Sequence, residues 1–190
     1  MKFWLNGLVA VFVVAYPVLV YLGFHLGFPR YIPLALAFLL LLRYYLLSNK
    51  ESLGVLGKTF ALSLSLLGIV ICGIAALSNS LLLMKLYPVF VSFLFFVVFA
   101  SSLFQKQTVI ERMARWKEPN LPKAGVRYTR WVTKIWCVFF IINAAIAAYL
   151  ACFASTAAWA FYAGGLSYLL IAALFLIEYC VRPFFKRVMV

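Results

Sequence analysis

The sequence predicts an all-α, polytopic membrane bundle of six transmembrane helices, and three observations carry that expectation. Hydrophobic residues make up 67% of the chain and charged residues 11%, with a mean hydropathy of +1.08. A soluble domain is nearer half apolar and about a quarter charged. Uncharged runs recur at the length a bilayer requires, roughly 20 residues per helix. The basic residues cluster between alternate runs, as topogenic charge does. Six spans fill 190 residues, so a single integral membrane domain is expected over 1–190.

Each span has its own signals. Phe3 to Phe24 is an uncharged run after Lys2, too aromatic for a cleaved leader and without a small-residue cleavage site after it. It is read as a first span, about 3–24, with Pro17 kinking it. Gly27 to Arg30 turns the chain into a shorter second span, about 31–47, whose Arg43 can reach an interface with its long side chain. Ser48 to Lys58 reads as a loop. Thr59 to Met84 is again uncharged, and its Ser78-Asn79-Ser80 cluster of turn formers divides a third span, about 59–77, from a fourth, about 81–104. Lys85 is then expected to snorkel to the outer surface. Ile135 to Ile177 carries no charge over twice a span's length, so a turn near Ala154 to Ala158 separates spans of about 131–153 and 159–181.

Charge sets the orientation. Seventeen Lys and Arg against four Asp and Glu give +13, a balance that would suggest nucleic acid in a soluble chain. Here the six-span arrangement places fifteen of the seventeen cations on one side, with only Arg30 and Lys85 on the other. The positive-inside rule makes that side cytoplasmic and both termini with it; no nucleic-acid partner is expected.

The one long polar interruption is the loop 105–130 and the residues that follow it. Thr108 three residues before Glu111 is a capping-box pattern, opening a short helix to about Lys117 that Pro119 stops. Val109, Met113 and Trp116 share one face, which predicts an amphipathic helix lying on the inner leaflet, while Arg112 and Arg115 project elsewhere. Arg127, Arg130 and Lys134, at i, i+3 and i+7, form a basic stripe interleaved with an aromatic belt of Tyr128, Trp131 and Trp136. Arg112, Arg115, Lys117, Lys123, Arg127, Arg130 and Lys134 are therefore the candidates for binding anionic phospholipid or an acidic partner. The same cations would serve as topological anchors.

Polar groups inside spans are few. Glu178 precedes Arg182 by four residues, the favourable order for a helical ion pair, and an intramembrane carboxylate is a functional candidate by default. Asn143, near mid-span, is expected to hydrogen-bond a neighbouring helix. His25 reads as an interfacial residue. Small-residue faces at Ala144/Ala148, Ala147/Ala151/Ser155 and Ala160/Gly164 are expected to pack the last two spans together, with homo-oligomerisation as their second use. Cys72, Cys137, Cys152 and Cys180 show no paired spacing and read as apolar packing. YPV at Tyr16 to Val18 and at Tyr87 to Val89 hints at a three-plus-three inverted repeat. Both prolines fall in the outer half of their spans, however, where inverted symmetry would separate them. No catalytic, metal-ligating or cofactor constellation is visible: GxSxG, HExxH, P-loop and GxGxxG are absent, and one His with four dispersed Glu offers no ligand cluster.

The segments KLYPVFVSFLFFVVFASSLF, ERMARWKEPNLPKAGVRYTRWVTKIWCVFFIINAAIAAYLA and LSYLLIAALFLIEYCVRP resemble a family of small bacterial inner-membrane proteins, best from Lys85 to Pro183. Members are encoded among the acyl-carrier, ketosynthase, acyltransferase and AMP-ligase genes of aryl-polyene or xanthomonadin-like pigment pathways. Some are labelled as the ATP-binding component of DNA gyrase, which a chain of lipid-facing helices contradicts. Members often have Asn-Gly where this chain reads Asn143-Ala144. The resemblance implies an inner-membrane accessory protein, a scaffold or lipid-handling partner that recruits acidic acyl-carrier or biosynthetic proteins, which +13 suits electrostatically. A transporter or flippase for a lipid-linked product is the alternative, and a membrane lipid enzyme the third.

Overall fold

The computed structural model describes residues 2–27, 31–48, 66, 68–74, 77–78, 80–116 and 118–188. Among them there is no strand. The helices are α1 (Lys2–His25), α2 (Tyr31–Ser48), α3 (Leu81–Ser102), α4 (Val109–Arg115), α5 (Lys123–Phe153), α6 (Thr156–Phe161) and α7 (Ser167–Val188), with a π-helical turn at Tyr162–Leu166 joining the last two. Leu81–Ser102, Lys123–Phe153 and the continuous Thr156–Arg182 are each long and apolar enough to cross a membrane. A shorter apolar helical stretch, Pro33–Leu42, lies within α2. These helices leave large apolar side chains uncovered: Phe90, Phe93 and Val97 on α3, Ile135, Val138 and Ile142 on α5, Leu169, Phe175 and Leu176 on α7. Apolar surface this extensive belongs against hydrocarbon.

Several boundaries move from their expected places for local reasons. Gly27 stops α1, its φ of 79° being a left-handed conformation that suits glycine. The expected third span, 59–77, lies mostly outside the described residues, although 68–74 are helical; Arg30, Lys50, Glu51 and Lys58 also lie outside them. The segment 123–130 is helix rather than loop. Pro122 suits a helix start because its lost N–H would have no intrahelical acceptor there, and its carbonyl accepts the Val126 N–H at 3.0 Å. The turn expected over Ala154 to Ala158 shrinks to Ala154 and Ser155, since the Ser155 hydroxyl caps α6 by accepting the Ala158 N–H at 3.2 Å.

The chain divides into two compact units, Met1–Val91 with Ala147–Leu166, and Ser92–Ile146 with Ser167–Val190. The first unit contains a proline defect in α3 that a neighbouring helix compensates. Pro88 inside α3 has no N–H to give the carbonyl four residues back, and that carbonyl, of Met84, accepts the Tyr16 hydroxyl at 3.2 Å. The next carbonyl, of Lys85, accepts the Trp159 indole N–H at 3.1 Å. Tyr16 and Trp159 are completely buried, so a side chain of α1 supplies the donor that Pro88 lacks and one of α6 adds a bond to the neighbouring carbonyl. The two YPV tyrosines, Tyr16 and Tyr87, meet with ring centroids 4.8 Å apart, and Leu36, Leu40, Cys72, Ala151, Ala160 and Ala163 complete the cluster.

The small-residue face of Ala160 and Gly164 is expected to pack spans five and six, but Gly164 faces α1. A Cβ there would stand 2.9 Å from Val18 Cγ2 and 3.5 Å from Pro17 Cβ, so glycine permits this close crossing. Ala160 does share a core cluster with Ala151. Lys85 is 6% exposed as a whole residue, between the core residues Met84 and Tyr87 of the same helix.

The second unit is filled by aromatic rings. Phe95 stacks on Phe140 at 5.3 Å, Phe99 meets Phe140 edge-on at 5.2 Å, and Trp136 tilts against Phe140 at 5.5 Å and Phe175 at 4.6 Å. Trp136, expected in the interfacial belt, is thus a core residue. It stands four residues after Val132 and four before Phe140, on the same face of α5, against which Tyr128 also packs.

Candidate functional site

The candidate binding cations and the intramembrane polar candidates Asn143, Glu178 and Arg182 all belong to the second unit, and the structure sorts them by what each already contacts. The Thr108 side chain accepts the Glu111 N–H at 3.3 Å and caps α4. The Val109 N–H donates to Ser102 Oγ at 3.2 Å, and that hydroxyl donates to the Phe99 carbonyl at 2.7 Å. Thr108 and Ser102 are both buried. They fasten the start of α4 to the last turn of α3, so α4 has a defined orientation despite its seven residues.

That orientation buries Ile110 and Glu111. Glu111, 2% exposed, accepts through one oxygen from Arg115 Nε and Nη2, both at 2.9 Å. Arg115 Nη1 donates to the Pro119 carbonyl at 2.9 Å. One guanidinium therefore ties a buried carboxylate to the proline-bounded connector. Arg112 donates to Gln105 Oε1 and, at 3.3 Å, to the Gln107 carbonyl. The opposite side of α4 remains uncovered, with Met113 exposed and Trp116 83% exposed, together with the nearby Phe104. The expected amphipathic face of Val109, Met113 and Trp116 is thus outermost for its last two members, while Val109 is half-buried.

Of the seven basic candidates, Arg112 and Arg115 are engaged within the chain and Lys117 lies outside the described residues. Lys123, Arg127, Arg130 and Lys134 are exposed on the first turns of α5. The last three recur at i, i+3 and i+7 and so share one helix face. Trp131 belongs to this surface, with the Lys134 ammonium 4.9 Å from its ring centroid, a cation–π contact.

Beside this face stands a three-residue network. Glu178 Oε1 accepts from Arg182 Nε at 3.1 Å and from the Tyr128 hydroxyl at 3.3 Å, and that hydroxyl also lies 3.4 Å from the Glu178 carbonyl. The i, i+4 ion pair is as the spacing predicts, but the tyrosine from α5, 50 residues away, is not readable from spacing. Deeper in the unit, Asn143 Nδ2 donates to Ser92 Oγ at 2.9 Å, both side chains being buried. The interhelical bond expected of Asn143 is made, and Ser92 is its acceptor.

Chemically, this end of the unit offers positive charge rather than a reactive centre. Glu111 and Glu178 are each held by an arginine one turn away, and the exposed cations have no carboxylate partner among the described residues. Such a surface can receive phosphate or carboxylate groups through charge-assisted hydrogen bonds. Comparison with family models, with curated proteins and with solved structures finds no match to this chain.

Proposed function

We propose that the chain is an accessory protein of a bacterial inner membrane, a six-span bundle with both termini cytoplasmic. It serves as a scaffold or lipid-handling partner for a fatty-acid-like, aryl-polyene type biosynthetic system. Its basic cytoplasmic surface recruits acidic acyl-carrier or biosynthetic proteins and rests on anionic phospholipid. The observation that carries this reading is the division of labour among the cations. Arg112, Arg115 and Arg182 are used inside the chain, whereas Lys123, Arg127, Arg130 and Lys134 are turned outward at the end of a membrane-length helix. Outward cations without carboxylate partners steer acidic partners toward a surface and fix their register. Loss of such a charge triplet weakens association by about tenfold or more, and added salt does the same to the intact surface.

The test is charge reversal, Arg127→Glu, Arg130→Glu and Lys134→Glu together. Binding of a purified acyl carrier protein is measured to the detergent-solubilised variant, along with product formation in cells. Folding is followed by the thermal transition. Weakened carrier binding and reduced product with an intact transition support the proposal; unchanged binding and product overturn it.

A transporter or flippase is the second reading. It would use Asn143 and Glu178, both already occupied by Ser92 and by Arg182 with Tyr128. It requires Glu178→Gln to abolish export while intermediates accumulate.

A further inference from the structure

We infer that a groove in the first unit, between α1 and the α6 and π-helical segment, holds one hydrocarbon chain with its polar head at His25. This rests on the lipid-handling part of the function proposed above. The groove has a volume of about 360 Å³ and runs between Val18 and Tyr21 of α1 and Ala157, Ala160, Phe161 and the two glycines Gly164 and Gly165. The Tyr21 hydroxyl is the one polar side-chain group in that lining, so the occupant must be apolar along its length. A π-helical turn is rare and often marks a functional site. Here it places paired glycines in the wall, where a ligand can approach the backbone closely. A Cβ on Gly165 would meet nothing within 4 Å.

The geometry also gives the groove a direction. At Gly164 the segment closes on Pro17 and Val18; from that contact the lining continues forward along α1 to Tyr21 and backward along α6 to Ala157. The two walls are therefore antiparallel, and they end together. Helix α1 ends at His25 and α6 begins at Thr156, each roughly 10–12 Å from the Gly164 crossing. Thr156 also opens a membrane-length stretch, so this end of the groove is at the membrane edge. Val18, Tyr21 and His25 recur at i, i+3 and i+7 on one face of α1, and the Tyr21 and His25 rings meet with centroids 4.6 Å apart. An exposed imidazole, able to donate or accept a hydrogen bond, thus terminates an apolar wall. That is the complement of an amphiphile: a hydrocarbon chain with a hydrogen-bonding head, the chemistry shared by a free fatty acid and one chain of a phospholipid. A helix of a second copy fits less well. The small-residue ridge it would need, Ala160 with Gly164, is already used by the buried cluster and by α1.

Photo-crosslinking of the full chain in nanodiscs of phosphatidylglycerol and phosphatidylcholine tests the site, with hexadecanoic acid carrying a mid-chain diazirine as the probe. Labelling is expected to saturate at one probe per chain and to fall on the segments lining the groove, about tenfold above the exposed positions Phe93 and Val138. Gly165→Leu, which fills the open space, should lower groove labelling about tenfold, and Gly165→Ala should keep most of it. Phosphatidylcholine with the same diazirine chain separates the sources: if it labels the groove and unlabelled hexadecanoic acid does not compete, the occupant is a phospholipid chain. Labelling spread evenly over the lipid-facing residues overturns the proposal, as do unchanged labelling of Gly165→Leu and a cross-link between two copies through the groove residues. Should Gly165→Leu fail to fold, saturable competition by the unlabelled probe in the unsubstituted chain decides the matter, its absence for both probes being the overturning result. Carrier binding measured in the same nanodiscs keeps the two readings apart: a labelled groove without carrier binding sinks recruitment alone, and carrier binding without a labelled groove sinks this inference alone.

Discussion

The unit containing Pro17 and Pro88 and the unit containing Trp136 differ in how their cores treat polar backbone. In the first, proline strips a carbonyl of its helical partner, and Tyr16 and Trp159 supply hydrogen bonds across the cluster to Met84 and Lys85. In the second, rings of Phe95, Phe99, Trp136 and Phe140 pack against one another, and polar contacts are concentrated at Glu111, Glu178 and Asn143. A helix carrying a proline in hydrocarbon needs a donor from elsewhere, because no water is present to supply one. The first unit therefore directs its long-range hydrogen bonds to main-chain carbonyls of α3, whereas in the second Asn143 and Ser92 join side chain to side chain beside the packed rings.

Substitution of the two buried tryptophans breaks that comparison most directly. Trp159→Ala and Trp136→Ala are each expected to cost about 3–5 kcal/mol from lost packing, measured by denaturant titration in mild detergent. The informative pair is milder. Trp159→Phe should cost about 1 kcal/mol more than Trp136→Phe, since only the former removes a donor from a buried carbonyl. Equal costs would mean that the indole N–H of Trp159 contributes nothing.

A second contrast lies within the ring-packed unit. Arg115→Met leaves Glu111 buried without its partner and is expected to destabilise by about 2 kcal/mol, Arg115 being partly exposed. Adding Glu111→Leu to that variant should recover most of the loss, because a buried pair replaced by apolar groups is often neutral. A double variant no more stable than the single one would contradict this account.

Smaller effects test the repair of α3. Tyr16→Phe should cost about 1 kcal/mol. In a Pro88→Ala background, which restores the N–H for the Met84 carbonyl, the same change should cost close to nothing. This cycle isolates the coupling; an unchanged cost in both backgrounds would show that Tyr16 stabilises by packing alone. Asn143→Ala is expected to be the mildest, about 0.6 kcal/mol, and Ser92→Ala in the same chain should add little further.

What could be read from the sequence is what local pattern encodes. Apolar runs announce membrane-length helices at about 81–104, 131–153 and 159–181, where the structure has Leu81–Ser102, Lys123–Phe153 and Thr156–Arg182. Thr108 with Glu111 announces a helix cap, and Glu178 with Arg182 an ion pair one turn apart. Each depends on residues within a few positions, where helix geometry alone sets the distance. The candidate stripe of Arg127, Arg130 and Lys134 is legible for the same reason, since its exposure follows from sharing one face of α5.

The rest was decided by which helix faces meet. Tyr16 reaches Met84 across 68 positions, Trp159 reaches Lys85 across 74, and Asn143 reaches Ser92 across 51. A water-soluble helix marks its buried side with an apolar stripe. These helices are apolar all round because lipid accepts every face, so the pattern does not say which side is covered. Trp136 illustrates the consequence: its type suggests the interface, and its position on α5 places it among rings. Composition established that the chain belongs in a membrane. Close contacts such as Gly164 against Val18 selected the neighbours, because between lipid-soluble helices the choice rests on shape and on hydrogen bonds that only a partner helix can supply.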